Sequence, residues 1–173
     1  WRPETALVRL ANQTPLLADI ADITFPEDSS VTIGLSATDP EEDPITFDAW
    51  TEESGISLTV TGDSVQIIPA ANWNGAAIIY ASASDGFSSD VKSFTATVTP
   101  VNDPPALDRP VSDLVLAEDS PATVVALLDS VFIDVDDEPL TYTVTSDTAA
   151  MSVSIVGENQ VVVTLEPDWY GTG

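Results

Sequence analysis

The residues of this sequence best suited to chemistry lie in two short acidic turns. The first offers Asp39, Glu41, Glu42 and Asp43 ahead of Pro44, and the second Asp134, Asp136, Asp137 and Glu138 ahead of Pro139. Two carboxylates about 5 Å apart repel by roughly 1 kcal/mol in bulk water, and by more where water is partly excluded. Crowding three or four into one turn is therefore costly unless a counter-ion joins them. Calcium suits the role, since it takes about six to eight oxygens and tolerates irregular geometry. One such turn alone reads as a solvated loop, but its recurrence favours calcium.

The composition narrows the chemistry further. In 173 residues there are 4 Lys and Arg against 29 Asp and Glu, a net charge of −25, which repels nucleic acid and anionic lipid. There is no Cys and no His, so disulfides, thiol nucleophiles, Cys-based zinc and iron-sulfur sites, the commonest general base and the commonest transition-metal ligand are all excluded. Oxygen ligands remain. Asp48 with Glu52 and Glu53 resembles a glycosidase carboxylate pair, but no cleft motif frames them and the repeat has no counterpart, so a solvated face is the better reading. No catalytic activity is expected. With 43% hydrophobic residues and a mean hydropathy of +0.14 the chain has enough apolar surface to fold. No apolar run approaches the roughly 20 residues of a membrane span, and Trp1-Arg2-Pro3-Glu4 lacks the features of an export signal, so any such signal is expected outside this stretch.

The turns belong to an internal repeat. Glu27-Asp28-Ser29 returns 91 residues later as Glu118-Asp119-Ser120, Asp39 returns 95 later as Asp134, and Trp73-Asn74-Gly75 returns 96 later as Trp169-Tyr170-Gly171. The hinge between copies is Val101-Asn102-Asp103-Pro104-Pro105, and Asn12 stands 90 residues before Asn102. The expected organisation is residues 1–13 as the last strand and linker of a preceding repeat, 14–104 as repeat 1 and 105–173 as repeat 2 without its last two strands. Thr5 to Leu10 matches the last-strand position.

Short runs of Thr, Val and Ile alternate with polar residues and are separated by Asp, Gly, Pro and Ser clusters, which predicts an all-β fold of tandem seven-stranded Greek-key sandwiches, the second copy truncated. In repeat 1 the pattern predicts strands at 20–25, 31–36, 45–51, 56–60, 65–68, 76–83 and 91–98, with Phe94, Ala96 and Val98 pointing inward. In repeat 2 it predicts strands at 124–128, 140–145, 151–155 and 160–165, with Val124, Tyr142, Val144 and Val163 on the inner face. No helix is expected. Trp73 and Trp169 read as rings packed over a loop corner where Gly makes room, and Trp50 as packed against the sandwich.

These residues carry a resemblance. Glu27, the Asp-x-acid pairs Asp39/Glu41 and Asp134/Asp136, Ala83-x-Asp85-Gly86 and the Val101 to Pro105 linker together resemble the cadherin pattern, and more closely the cadherin-like tandem repeats of large bacterial surface or secreted adhesins. The resemblance implies calcium between successive repeats. The ligands would be Glu27, Asn102, Asp103, Asp134 and Asp136 at the central junction, and Asn12, Asp39, Glu41 and Asp85 at the upstream one. Asn72-Trp73-Asn74-Gly75 replaces the family's Asp-Arg-Glu and the linker lacks two of its polar residues, which implies only one or two ions per junction with dissociation constants of about 10⁻⁴ to 10⁻³ M. The implied function is a calcium-stiffened spacer or adhesion module at the cell surface. Its partners would be adjacent repeats of the same chain, with other surface proteins or glycans as further candidates. The alternative is a carbohydrate-binding accessory module of a secreted hydrolase, marked by an exposed row of aromatics on one sheet face.

Overall fold

A computed structural model describes residues 11–136 and 138–172. The chain divides between Val101 and Asn102 into two compact units, and Thr5 to Leu10 lies outside the described residues. In the first unit, alternation of apolar and polar residues produces β1 (Leu16–Leu17), β2 (Ile23–Pro26), β3 (Val31–Gly34), β4 (Ala37–Thr38), β5 (Thr46–Thr51), β6 (Ile56–Thr61), β7 (Ser64–Pro69), β8 (Gly75–Ser84) and β9 (Ser89–Thr99). Seven of them form two sheets, one ordered β2-β9-β8-β5 and the other β3-β7-β6. Strand β2 runs parallel to β9, with Phe25 opposite Val98, and every other pairing is antiparallel. This is the expected Greek-key sandwich. The pair β1-β4 was not anticipated, because two-residue strands have no periodicity to read.

The sheets bury their inner faces against each other. Val65 and Ile67 from one sheet meet Ile79, Phe94, Ala96 and Val98 from the other, and Val65, Ile67, Ile79 and Ala96 are completely buried. Each buried aliphatic side chain of this size contributes about 1.5–3 kcal/mol relative to exposure, which makes this layer the main source of stability. A second cluster of Leu17, Leu35, Ala81 and Ala83 closes one end. Trp73 packs against the main cluster as expected, and Gly55 makes the room: a Cβ there would lie 2.3 Å from the indole nitrogen. Trp50 corrects the sequence reading. It stands opposite Tyr80 on the outer face of its sheet and is 42% exposed.

The second unit keeps only part of this plan. It contains β10 (Ala106–Leu107), β11 (Thr123–Leu127), a 3-10 turn at Leu128–Ser130, β12 (Phe132–Ile133), β13 (Met151–Val156) and β14 (Gln160–Leu165). Strands β11-β14-β13 form one sheet, the counterpart of β3-β7-β6, and β10-β12 mirrors β1-β4. The strand expected at 140–145 does not form. No described strand offers it the ladder that β8 offers β5, so the segment stays outside any sheet. Val124 is also corrected: it pairs with Val162, one residue off the buried Val161 and Val163, and so lies on the opposite face, with a register shift at Val125 absorbing the difference. Among the described residues no helix is long and apolar enough to cross a membrane.

The recurring Glu-Asp-Ser and Trp motifs have a structural explanation. Asp28 and Asn72 both adopt left-handed backbone (φ 56), and the Asn72 amide donates to Asp28 Oδ1 at 3.0 Å. In the second unit Asp119 and Asp168 repeat the conformation (φ 56 and 57), and the Asp168 amide donates to Asp119 Oδ1 at 3.0 Å. Asp and Asn tolerate this region best among residues with a Cβ, so the chemistry of the clip dictates its sequence.

The thinner second unit should open more readily. Its best-buried described apolar residues, Val131, Val161, Leu128 and Val163, are 7–8% exposed, against 0% for Val65 and Ile67. Amide exchange at Val161 to Leu165 is therefore expected to be faster than at Val65 to Ile68 in the monomer, and equal protection would refute the difference.

Candidate metal centre

The first acidic turn is closed by its own carboxylate. Asp39 Oδ1 accepts the amides of Glu41 (2.9 Å) and Asp43 (3.1 Å), while Glu42 takes left-handed backbone (φ 62) and its amide donates to the Asp39 carbonyl at 3.2 Å. The other oxygen, Asp39 Oδ2, is buried and has no hydrogen-bond partner. Glu41 reaches the linker: its carboxylate accepts the backbone amide of Gln13 at 3.1 Å and the Gln13 side-chain amide at 2.8 Å.

Asp85 completes the set from the turn between β8 and β9. Its Oδ1 accepts the amides of Phe87 and Ser88, both at 2.7 Å, and its Oδ2 accepts Asn12 Nδ2 at 2.9 Å and the Ser88 hydroxyl at 3.2 Å. The Ser88 amide, the Asn12 side chain and the Phe87 amide hold this carboxyl down at a pKa of about 2. Asn12, Asp39, Glu41 and Asp85 are thus joined in one network through Gln13. Sequence reasoning missed Gln13 and Ser88, which act as hydrogen-bond donors and carry no ligand signature. Gln13 does sit 90 residues before Asp103, and that spacing could have found it.

The second turn repeats this geometry. The Asp136 amide donates to Asp134 Oδ1 at 2.9 Å, as Glu41 does to Asp39, and the Asp103 amide donates to Asp136 Oδ2 at 2.6 Å, as Gln13 does to Glu41. Asn102 Nδ2 donates to the Asp103 carbonyl at 2.9 Å, matching Asn12 and Gln13. Asp137 lies outside the described residues. Glu27 belongs to the first unit and is 3% exposed, with Oε1 accepting the Val101 amide at 2.7 Å and Oε2 accepting Asn74 Nδ2 at 3.4 Å. Asn102, Asp103, Asp134 and Asp136 belong to the second unit. Among the described residues no three carboxylates are gathered closely enough to hold a metal ion. N–H donors meet Asp39 Oδ1, both oxygens of Glu41, Asp134 Oδ1 and Asp136 Oδ2 in these turns.

A family model described as Bacterial Ig domain matches residues 12–99, from the linker Asn through the end of β9. The chain belongs to the bacterial Ig domain family. Human protocadherin-24 EC1-2 is similar in structure, with a TM-score of 0.54 at 17% identity over 88% of this chain and 77% of that one, in line with the cadherin-like, Ig-like sandwich. Drosophila N-cadherin EC1-4 (TM-score 0.48, 15% identity, 90% of this chain and 41% of that) and an endo-fucoidan hydrolase of glycoside hydrolase family 107 (TM-score 0.42, 21% identity, 89% and 24%) are also similar. The chain spans about a quarter of the length of that hydrolase. No curated protein matches it.

Within this Ig domain, the Asp85 network makes a testable statement about pH. Its folded pKa lies below the ordinary value of 3.8, so protonation favours the unfolded state. The stabilisation is fully present above the ordinary value and is lost as pH falls through about 2. Asp85→Ala should lower the melting temperature of the first unit at neutral pH, and the gap from the parent chain should shrink as pH falls from about 4 towards about 2. A gap independent of pH would remove the ionised carboxylate from the explanation.

Proposed function

We propose that these repeats form a calcium-stiffened spacer in an extracellular adhesin-type protein, with the domain boundaries and the two ligand sets read from the sequence. The observation that carries the reading is Asp39 Oδ2, a carboxylate oxygen buried without a partner inside a turn whose hydrogen-bond pattern is built twice. An unpaired buried carboxylate oxygen is costly, and a calcium ion would offset that cost. The cation would supply charge neutralisation and a common centre for ligands from consecutive repeats. Asn12 would present its amide oxygen, and Glu41 would exchange Gln13 for the metal. The role is structural and involves no bond making.

The rival reading, a carbohydrate-binding accessory module of a secreted hydrolase, has one observation in its favour. Trp50 and Tyr80 lie outward on a sheet face with ring centroids 5.5 Å apart. They make a single pair, whereas a sugar-binding face would be marked by a row. Tight glycan-array binding in calcium buffer, lost in Trp50→Ala or Trp73→Ala, would reverse the order.

For the spacer, the chain in about 1 mM calcium, the upper end of affinities for extracellular modules, should melt at higher temperature than in chelator. Small-angle scattering should show a more extended, less variable particle. Asp39→Asn and Asp134→Asn should each weaken the calcium response. Unchanged melting and identical scattering profiles would sink the proposal.

A further inference from the structure

The outer face of the β2-β9-β8-β5 sheet carries a feature that a spacer does not need. Trp50 and Tyr80 stack across the β5–β8 ladder with their planes 13° apart. Strand β5 is the edge of its sheet, so no strand of that sheet flanks Trp50 on the far side. The same row continues to Ser93, and the neighbouring row pairs Asp48 with Ser82. Asp48 precedes Trp50 by two residues on the same face, and the exposed Glu52 follows it by two. An aromatic platform on an edge strand is thereby set between Asp48 of that strand and Glu52 of the bend that follows it. The sequence alone offered the carboxylates only as a solvated face.

We propose that this platform is a docking site for an arginine-bearing, net-positive segment of a partner protein, a role independent of the calcium reading. Charge decides the occupant. The chain's −25 draws cationic partners and repels anionic ones. A guanidinium is flat, weakly hydrated and able to lie on an indole face while its N–H groups donate to carboxylates beside the ring. Asp48 and Trp50, two apart on the strand, are about 6.6 Å apart, within the reach of one arginine on the ring and a second cation on the acid. A neutral saccharide would use the ring but leave both carboxylate charges without a counterpart.

The test is a two-dimensional amide and indole NMR titration of the full chain at about 0.15 M salt, where long-range attraction is largely screened. The probes are acetyl-Arg-Gly-Arg amide, its citrulline analogue and a neutral oligosaccharide. The arginine peptide should shift the Trp50 indole N–H and the amides of Ile78 to Ser82 ahead of those of Asp39 to Asp43, and the other two probes should do so far less. Trp50→Ala should weaken binding by about two- to fivefold, the range expected for an exposed cation–π contact. The double variant Asp48→Asn, Glu52→Gln leaves the core untouched and should weaken it comparably, which keeps the question answerable if Trp50→Ala fails to fold. Shifts spread over all acidic segments with unaltered affinity in either folded variant would reduce the effect to net charge and overturn the proposal. So would an equal response to citrulline, or a response to the oligosaccharide alone, which would transfer the platform to a glycan.

Discussion

The structure depends on the closure of one apolar layer between two sheets. Val65 and Ile67 on β7, against Ile79 on β8 and Ala96 on β9, leave no surface to water, and the first unit's loops discussed above are held by the strands this layer fastens. The layer is thin, filled largely by Ala, Val and Ile, so the connections at its ends must be short and well anchored. In a chain with 29 acidic residues and 4 basic ones, side-chain ion pairs cannot provide that anchoring. Lys92 with Asp19 is one of only two pairs among the described residues.

Backbone amides provide it instead. Glu27, Asp28, Asp39, Asp85 and Asp90 each accept main-chain N–H groups from a segment distant in sequence or across a tight turn. A carboxylate bound this way loses little by being partly covered, because the N–H donors replace water and stabilise the charged form. Much of the chain's acidity is therefore structural. This sharpens the meaning of Asp39 Oδ2, which is buried without a donor although Oδ1 of the same carboxylate and both oxygens of Glu41 have one.

The two units show how much one missing sheet matters. The counterpart of β3-β7-β6 forms in the second unit with the same antiparallel order: β13 and β14 pair as a hairpin, β11 adds to β14 from more than thirty residues away, and each ladder is complete within this one sheet. The segment at 140–145 has equal strand propensity but no described neighbour to pair with, and it remains without a ladder. Propensity supplies a willingness to extend, and a ladder requires a second chain segment beside it.

Periodicity was enough to determine the all-β class, the seven strands of the first repeat, the inward set Phe94, Ala96 and Val98, and the repeat itself, because side-chain alternation and turn chemistry act over neighbouring residues. The acidic turns were legible for the same reason, as Asp39 and Asp134 do their work two to four residues away. Only the tertiary structure decided that Gln13 links Glu41 to Asn12, that Asn74 reaches Glu27, and that Trp50 faces solvent beside Tyr80. Those outcomes depend on the register between strands tens of residues apart. A one-residue slip would turn every side chain to the other face, and nothing local in the sequence sets that choice.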